Sequence, residues 1–450
     1  MAWSGMPPDR LLPLTNRDGA EVVCHRPGGP VTIARLLGEA RALAARLPPQ
    51  GHAVNLCADR YRMLLGFTAA LLRGHPTLLN ADASPHRLRA LAEAHPGAYL
   101  LADKPIAATL PLIPVEDAAA EDWSGPAPLL PARQLAAIAF TSGSTGQPTA
   151  HRKPWDALVA AALAAAERFA LRRGDGPASS VLATVPPQHM YGFETTIMLP
   201  LQAALACHAG EAFFPSDVLD ALDALPPRRL LVTTPLHLRA LLAEGRRPAP
   251  LAAVISATAP LALAMAEAVE RDWVAPMLEI YGASEAGSMA SRRTALEPDW
   301  LPYPGIRMSL GGDQGEVQVP GLGSIPLADA VEPAPGGRFR LLGRRADLVK
   351  LGGRRASLAD LNRVLMEVEG VEDGVFVAPE DLERNPAARL SAYAVAPGRS
   401  TEEILAALRL RLEPVFLPRP LVLVPALPRN GLGKLTQAAL AELRLAMATP

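Results

Sequence analysis

Aromatic residues are scarce in this 450-residue chain, at 4% of positions, and cysteines number three. Cys24, Cys57 and Cys207 are widely spaced, odd in number and lack a CxxC pairing. That pattern excludes a disulfide framework, implies no zinc site and suits a reducing compartment. Neither sign of charge prevails: 44 basic residues stand against 45 acidic ones. Nothing global therefore draws the chain to nucleic acid or to an acidic membrane. No window approaches the roughly 18 uninterrupted apolar residues that span a bilayer. The start, Met1-Ala-Trp-Ser-Gly-Met6, has no basic segment followed by an apolar one, so no signal peptide is evident. These absences predict a cytoplasmic protein with no membrane insertion and no nucleic-acid partner. Proline, by contrast, is abundant at 46 residues, about twice its ordinary share of ~5%. Alanine is abundant too, and alanine-rich stretches look helical whatever the fold.

Residues 140–148 read Phe-Thr-Ser-Gly-Ser-Thr-Gly-Gln-Pro. The segment concentrates the hydroxyls of Thr141, Ser142, Ser144 and Thr145 with Gly143 and Gly146, directly after a short apolar run, Leu135 to Phe140, that reads as a buried strand. Glycines let backbone amides approach an anion and hydroxyls add donors, so the loop is built to wrap phosphate oxygens. It is not the GxxxxGK[ST] loop, because no lysine follows Gly146.

Length predicts two or three domains. Helix and strand signals alternate through the first 130 residues: helices over Thr32–Leu47, Tyr61–Arg73 and Pro85–Ala94, strands over His52–Cys57, Pro76–Asn80 and Tyr99–Ala102. After the loop, Trp155–Leu171 and Ile197–Ala206 read as helices. Ser180–Thr184, Leu230–Thr233, Ala253–Ser256 and Met277–Ile280 read as strands. Such alternation predicts an α/β fold with a large N-terminal domain of mainly parallel sheets and flanking helices. From about residue 302 the texture turns to short strands and Gly/Pro turns, a small strand-rich subdomain. After Arg345 a compact α+β pattern of about 100 residues predicts a separate small domain. The expected division is 1–345 and 346–450.

Three further motifs carry chemistry. Tyr281-Gly282-Ala283-Ser284-Glu285 follows a strand, where ligands of α/β proteins usually bind. Tyr281 offers a flat face, Ser284 a hydroxyl and Glu285 a hard oxygen ligand for Mg²⁺. Asp329 precedes Gly343-Arg344-Arg345-Ala346-Asp347-Leu348-Val349-Lys350-Leu351-Gly352-Gly353-Arg354-Arg355; a carboxylate there is able to accept both hydrogen bonds of a ribose diol. Pro428-Arg-Asn-Gly-Leu-Gly-Lys434 presents a lysine near the C-terminus.

Together with Pro186-Pro-Gln-His189-Met-Tyr-Gly192, these segments resemble, in order, the signatures of the ANL superfamily of adenylate-forming enzymes, over roughly Thr32 to Leu440. The resemblance implies an ATP-dependent acid–thiol ligase, AMP-forming, which makes an acyl-adenylate and passes the acyl group to a thiol. It implies Glu285 as Mg²⁺ ligand and Lys434 as the catalytic lysine. Nucleotide contacts would come from Thr141, Ser142, Gly143, Ser144, Thr145, Gly146, Tyr281, Gly282, Ser284, Asp329 and Arg344. The acid pocket would be formed by His189, Gly192, Phe193, Glu194, Ala257 and Ala283. Asp347 would be the hinge of a mobile C-terminal domain, and Gly353 would border the thiol tunnel. Cofactors are then ATP and Mg²⁺, with CoA or the phosphopantetheine of a free-standing acyl carrier protein as acceptor; the sequence does not choose between them.

The chain also departs from the family pattern. The loop ends Pro148-Thr149-Ala150 where the family commonly has Pro-Lys-Gly, and Arg152 and Lys153 are the next cations along. In Ser256-Ala-Thr-Ala-Pro260, similar to the family's SGGAP segment against the adenine, Ala257 and Thr258 replace the glycines. Phe193-Glu194 falls where amino-acid-activating relatives have Phe-Asp. The segment HMYGFETT is more similar to short stand-alone aryl-acid ligases of aryl-polyene and xanthomonadin pigment pathways, which implies a hydroxybenzoic or hydroxycinnamic acid. Two other readings stay open at this point: an amino-acid-activating ligase, and a non-catalytic nucleotide-binding relative.

Overall fold

The structure is a computed structural model and describes residues 10–116, 120–141, 149–172, 174, 178–212, 214–309, 315–344, 348–351, 354–379, 389–429, 435 and 439–443. Ser142 to Pro148, Asp347, Gly353 and Lys434 lie outside them, as do the side chains of Thr141 and Arg344. Packing divides the chain into two units, residues 1–308 with 317–325, and residues 309–316 with 326–450.

In the first unit, one sheet has the order Thr149–Pro154, Leu135–Thr141, Thr77–Leu79, His52–Asn55, Ala98–Ala102, Leu112–Pro114. It is parallel apart from the first strand, which returns antiparallel from the phosphate loop. A larger sheet runs Leu301–Pro302, Gly287–Arg293, Met277–Ala283, Leu251–Ser256, Arg229–Thr233, Ser179–Ala183, Leu205–His208, Val22–Arg26, Gly29–Thr32. Its six central strands, Met277–Ala283 through Val22–Arg26, are parallel, and antiparallel strands close both edges.

The helix Arg60–Leu72 shows what holds these sheets. It is buried at nearly every position and touches strands of both sheets. A helix apolar all round belongs inside a core rather than on a surface. Asp59 caps it by accepting from the Arg62 amide at 2.9 Å. The alternation read from the sequence is thus realised, with one correction. Ile197–Ala206 is not one helix. Helical backbone runs from Met190 to Gln202, with a π turn at Glu194–Met198, and Leu205–His208 is a buried central strand. The sequence Leu-Ala-Cys-His is composed like a helix, but pairing on both sides, to Ser179–Ala183 and Val22–Arg26, decides the matter.

The second unit includes the hairpin of Asp329–Ala334 and Arg338–Arg344, whose second strand packs on the helix Leu358–Met366. A three-stranded sheet, Asp373–Val377, Ser391–Val395 and Leu421–Leu423, and the helix Thr401–Arg409 complete its core. Ser400 and Glu403 form a reciprocal capping box at the start of that helix.

Candidate active site

In the larger sheet, three motifs follow the carboxyl ends of parallel strands. Ser179–Ala183 leads into Pro186–Gly192, Leu251–Ser256 into Ala257–Pro260, and Met277–Ala283 into Ser284–Glu285. Crevices of this kind are where open α/β sheets bind ligands.

Buried polar side chains hold each segment in place. Arg60, 4% exposed, donates to the carbonyls of Ala183 and Val185 at 2.6 Å, and Gln188 donates to the Cys57 carbonyl at 2.7 Å. Gly192 sits so close that a Cβ there would lie 2.1 Å from the Pro186 oxygen. Tyr191 donates to the Ile255 carbonyl at 2.9 Å. Glu279, buried beside the nucleotide segment, accepts from the Leu261 amide at 3.0 Å and pairs with Arg292. Thr258 takes φ +79°, the conformation that the family's glycine would adopt freely. For a β-branched residue that is strain, and the Thr258 and Ser256 hydroxyls are both buried without a hydrogen-bond partner among the described residues.

Lys153, one of the two cations that follow the loop, is turned inward. It lies on the strand leaving the phosphate loop, is 1% exposed, and donates to the Glu285 backbone carbonyl at 2.6 Å. Burial pulls its ammonium down to about 8, against the opposing charges of Glu194 and Glu285. Exposed Arg152 alternates to the other face. Lys153 is therefore committed inward. It clamps the turn that carries Glu285 instead of standing in the phosphate loop. Glu285 itself is partly exposed, and among the described residues no donor is bonded to its carboxylate. No group of three potential metal ligands occurs among those residues. One open carboxylate fits Mg²⁺ held jointly with substrate phosphates and not a cation caged by protein alone.

Glu194 begins the π turn, a feature frequent at functional sites. It is 8% exposed and accepts from the Ser288 amide at 3.1 Å and the Ser288 hydroxyl at 2.5 Å. Burial raises its carboxyl, while Ser288 and Lys153 pull the other way. A small cavity beside it is walled by Ala161, Ala165, Phe169, Leu199 and Ile280, with Thr195, Ser288 and Tyr303.

Other predicted site residues are placed variously. Phe193 is fully buried and meets Phe67 edge-on at 4.9 Å, facing the core. His189 is partly exposed at the start of the short helix, and Ala257 is buried. Tyr281 is 9% exposed with its ring 5.7 Å from Trp300. Gly282, Ala283 and Ser284 line the end of that strand and its turn. In the second unit, Asp329 and Arg344 are register partners across one hairpin. Arg429 and Leu435 pair on either side of residues 430–434, and Arg429 grips both oxygens of Asp373 at 2.7 Å. Sequence reading missed Lys153's inward role, Ser288, Glu279, Tyr303 and Asp373. Lys153, Ser288, Glu279 and Asp373 act through partners distant in the chain, and Tyr303 stands out only through the cavity it lines, so none carries a contiguous signature.

The sequence profile of the AMP-binding enzyme family matches residues 17–321. The chain belongs to this family. It is an adenylate-forming enzyme of the ANL superfamily, an ATP-dependent, AMP-forming acid–thiol ligase. Among its relatives, the 4-coumarate–CoA ligase of Halorhodospira halophila is 31% identical over 66% of this chain and 73% of its own. The 4-coumarate–CoA ligase of Rhodobacter capsulatus is 32% identical over 63% and 70%. The solved o-succinylbenzoate CoA synthetase of Bacillus subtilis, in complex with its acyl-adenylate, has the same fold at 21% identity, with a TM-score of 0.79 over 93% of this chain and 95% of that one. The expected fold class is met, and a non-catalytic relative is not the family's reading. Among the described residues no helix is long and apolar enough to cross a membrane.

Proposed function

We propose that this AMP-binding enzyme activates a hydroxyaryl acid of hydroxybenzoate or hydroxycinnamate type, then transfers it to the thiol of CoA or of a separate acyl carrier protein. The observation that carries this reading is the Glu194 carboxylate on the wall of an otherwise largely apolar cavity. Apolar walls suit the edge of a ring, and a buried acceptor suits a hydroxyl carried on it. The relatives named 4-coumarate–CoA ligase support the same class.

In the first half-reaction a substrate carboxylate oxygen attacks the α-phosphorus of ATP and pyrophosphate leaves. Residues 141–146 donate to the phosphates, and Lys434 neutralises charge shared by the carboxylate and the α-phosphate. Asp329, with Arg344 opposite it, takes the ribose. Glu285 would hold Mg²⁺, which supplies charge neutralisation on the phosphates. Lys153 fixes the backbone from which Glu285 projects. In the second half-reaction the small domain, 346–450, turns about Asp347, and a thiol arriving past Gly353 displaces AMP. The adenylate is itself the activated species, so no nucleophilic side chain is required.

The test is ATP-dependent pyrophosphate release with hydroxybenzoates, hydroxycinnamates, amino acids and fatty acids, with CoA or a phosphopantetheinylated carrier protein as acceptor. Release is expected with the hydroxyaryl acids, and Lys434→Ala should lower it by about 10²–10³. A preference for fatty acids or amino acids overturns the reading.

A further inference from the structure

Besides Ser288, which bonds to Glu194, and Thr195, which bonds to the Tyr191 carbonyl, the cavity beside Glu194 has a further polar residue outside every motif. Tyr303 is 1% exposed, meets Phe169 edge-on at 5.9 Å, and has the Arg168 guanidinium 5.9 Å from its ring centroid. Its hydroxyl is buried and has no hydrogen-bond partner among the described residues. Folded proteins seldom leave such a group uncompensated. Burial, and after it the charge of Glu194, holds the phenol well above its ordinary range, so it remains a donor.

Glu194 and Tyr303 line the same cavity with complementary needs. An ionised carboxylate only accepts; a phenol hydroxyl without a partner has a proton to give. A group that satisfies both must donate once and accept once. A hydroxyl does so. An arylamine, uncharged at neutral pH, donates to Glu194 but offers Tyr303 only a lone pair delocalised into its ring, and an ammonium offers none. A carboxylate has no proton for Glu194 and meets its charge. A methoxy oxygen accepts and donates nothing.

We propose that Tyr303 is a specificity-determining residue that acts with Glu194 to select acids bearing a hydroxyl at the end remote from the reacting carboxylate. This rests on the reading that the cavity receives the distal end of an aryl acid, and it narrows that reading to phenolic acids over their amino, methoxy and unsubstituted counterparts. The cavity is small enough to take one ring substituent and not a ring.

The experiment compares wild type with Tyr303→Phe on matched 4-hydroxy, 4-amino, 4-methoxy and unsubstituted cinnamates and benzoates, with kcat and KM measured separately by pyrophosphate release. Wild type should prefer the 4-hydroxy acid over the unsubstituted one by at least about tenfold. The variant should lose about tenfold of that preference, chiefly through KM for the hydroxy acid, and keep its rate on the unsubstituted acid within about twofold. Its Tm without substrate should be equal or higher, because the variant removes an unpaired buried hydroxyl. An unchanged ratio in a wild type that uses aryl acids overturns the inference and leaves the aryl-acid reading standing. An equal loss for every acid likewise reduces Tyr303 to a packing role. A wild type that uses no aryl acid removes the underlying reading, and the inference falls with it.

Discussion

Two carboxylates meet the same hairpin, Met277–Ala283 with Gly287–Arg293, and are treated in opposite ways. Glu194 arrives from a helical turn, is buried, and is oriented by the amide and hydroxyl of Ser288, which bond chiefly one of its oxygens. Glu285 stands at the turn itself. There the backbone is fixed, through Lys153, while the carboxylate accepts no hydrogen bond from any described residue. The difference separates two tasks. A carboxylate whose orientation is set by internal donors is suited to choose among ligands. One on a rigid backbone with open oxygens is suited to hold a cation shared with phosphates. Lys153 lies between them, charged against both.

If that division is right, Glu285→Gln should slow pyrophosphate exchange by about 10²–10³ for every acid alike and raise the Mg²⁺ requirement. Thioester formation from supplied acyl-adenylate should recover much of its rate. A change in the ranking of acids would break the comparison, since it would make Glu285 a selectivity element too.

Lys153 sharpens it through pH. Its folded value, about 8, lies below the ordinary 10.5. Below pH 8 both folded and unfolded chains carry the proton, and the folded state bears the full cost of a buried ammonium. Between 8 and 10.5 the folded chain releases the proton while the unfolded chain keeps it, so stability rises with pH. Relative to Lys153→Met, which has no such cost, wild type should gain up to about 3 kcal/mol across that window. Urea unfolding of both proteins from pH 7 to 10.5 measures it; parallel pH curves would show that the lysine is not buried as a cation.

A smaller effect is expected at Gly287, which has φ +84°, where a Cβ would lie 2.5 Å from the nearer Glu194 oxygen. Gly287→Ala should cost about 2 kcal/mol of stability through the left-handed backbone and the displaced carboxylate. It should alter the ranking of acids and leave the affinity for MgATP within about twofold. A loss of MgATP affinity comparable to that of Glu285→Gln would mean that the two tasks are not separable at this hairpin.

Much of this was legible in the sequence because the family's chemistry is written in contiguous segments. Glu285, Asp329 and Glu194 stand out as candidates by their neighbours alone, and the strand and helix alternation followed from periodicity. What was not legible is pairing at a distance. Ser288 meets Glu194 across 94 positions, and Lys153 meets the Glu285 carbonyl across 132. Tyr303 gains its interest only from the cavity it shares. Leu205–His208 was hidden differently: its composition reads as helix, and pairing with the two strands beside it overrides that preference. Thr258 shows the converse, a left-handed backbone kept where the family's glycine is gone, at a cost of about 1–3 kcal/mol by the usual scale of such strain.

The grip of Arg429 on Asp373 has a consequence best put as the length of a leash. The bridge between Arg429 and Leu435 brings the two ends of the 430–434 segment together, and Asp373 fixes that point through both of its oxygens. With the pair released, the next anchors are buried Leu427 on one side and partly buried Leu440 on the other. The closed span would lengthen from the residues between 429 and 435 to those between 427 and 440, and a longer tether dilutes whatever it carries. One ion pair at the edge of a small sheet thereby bears on the effective concentration of the lysine on which adenylation is proposed to depend.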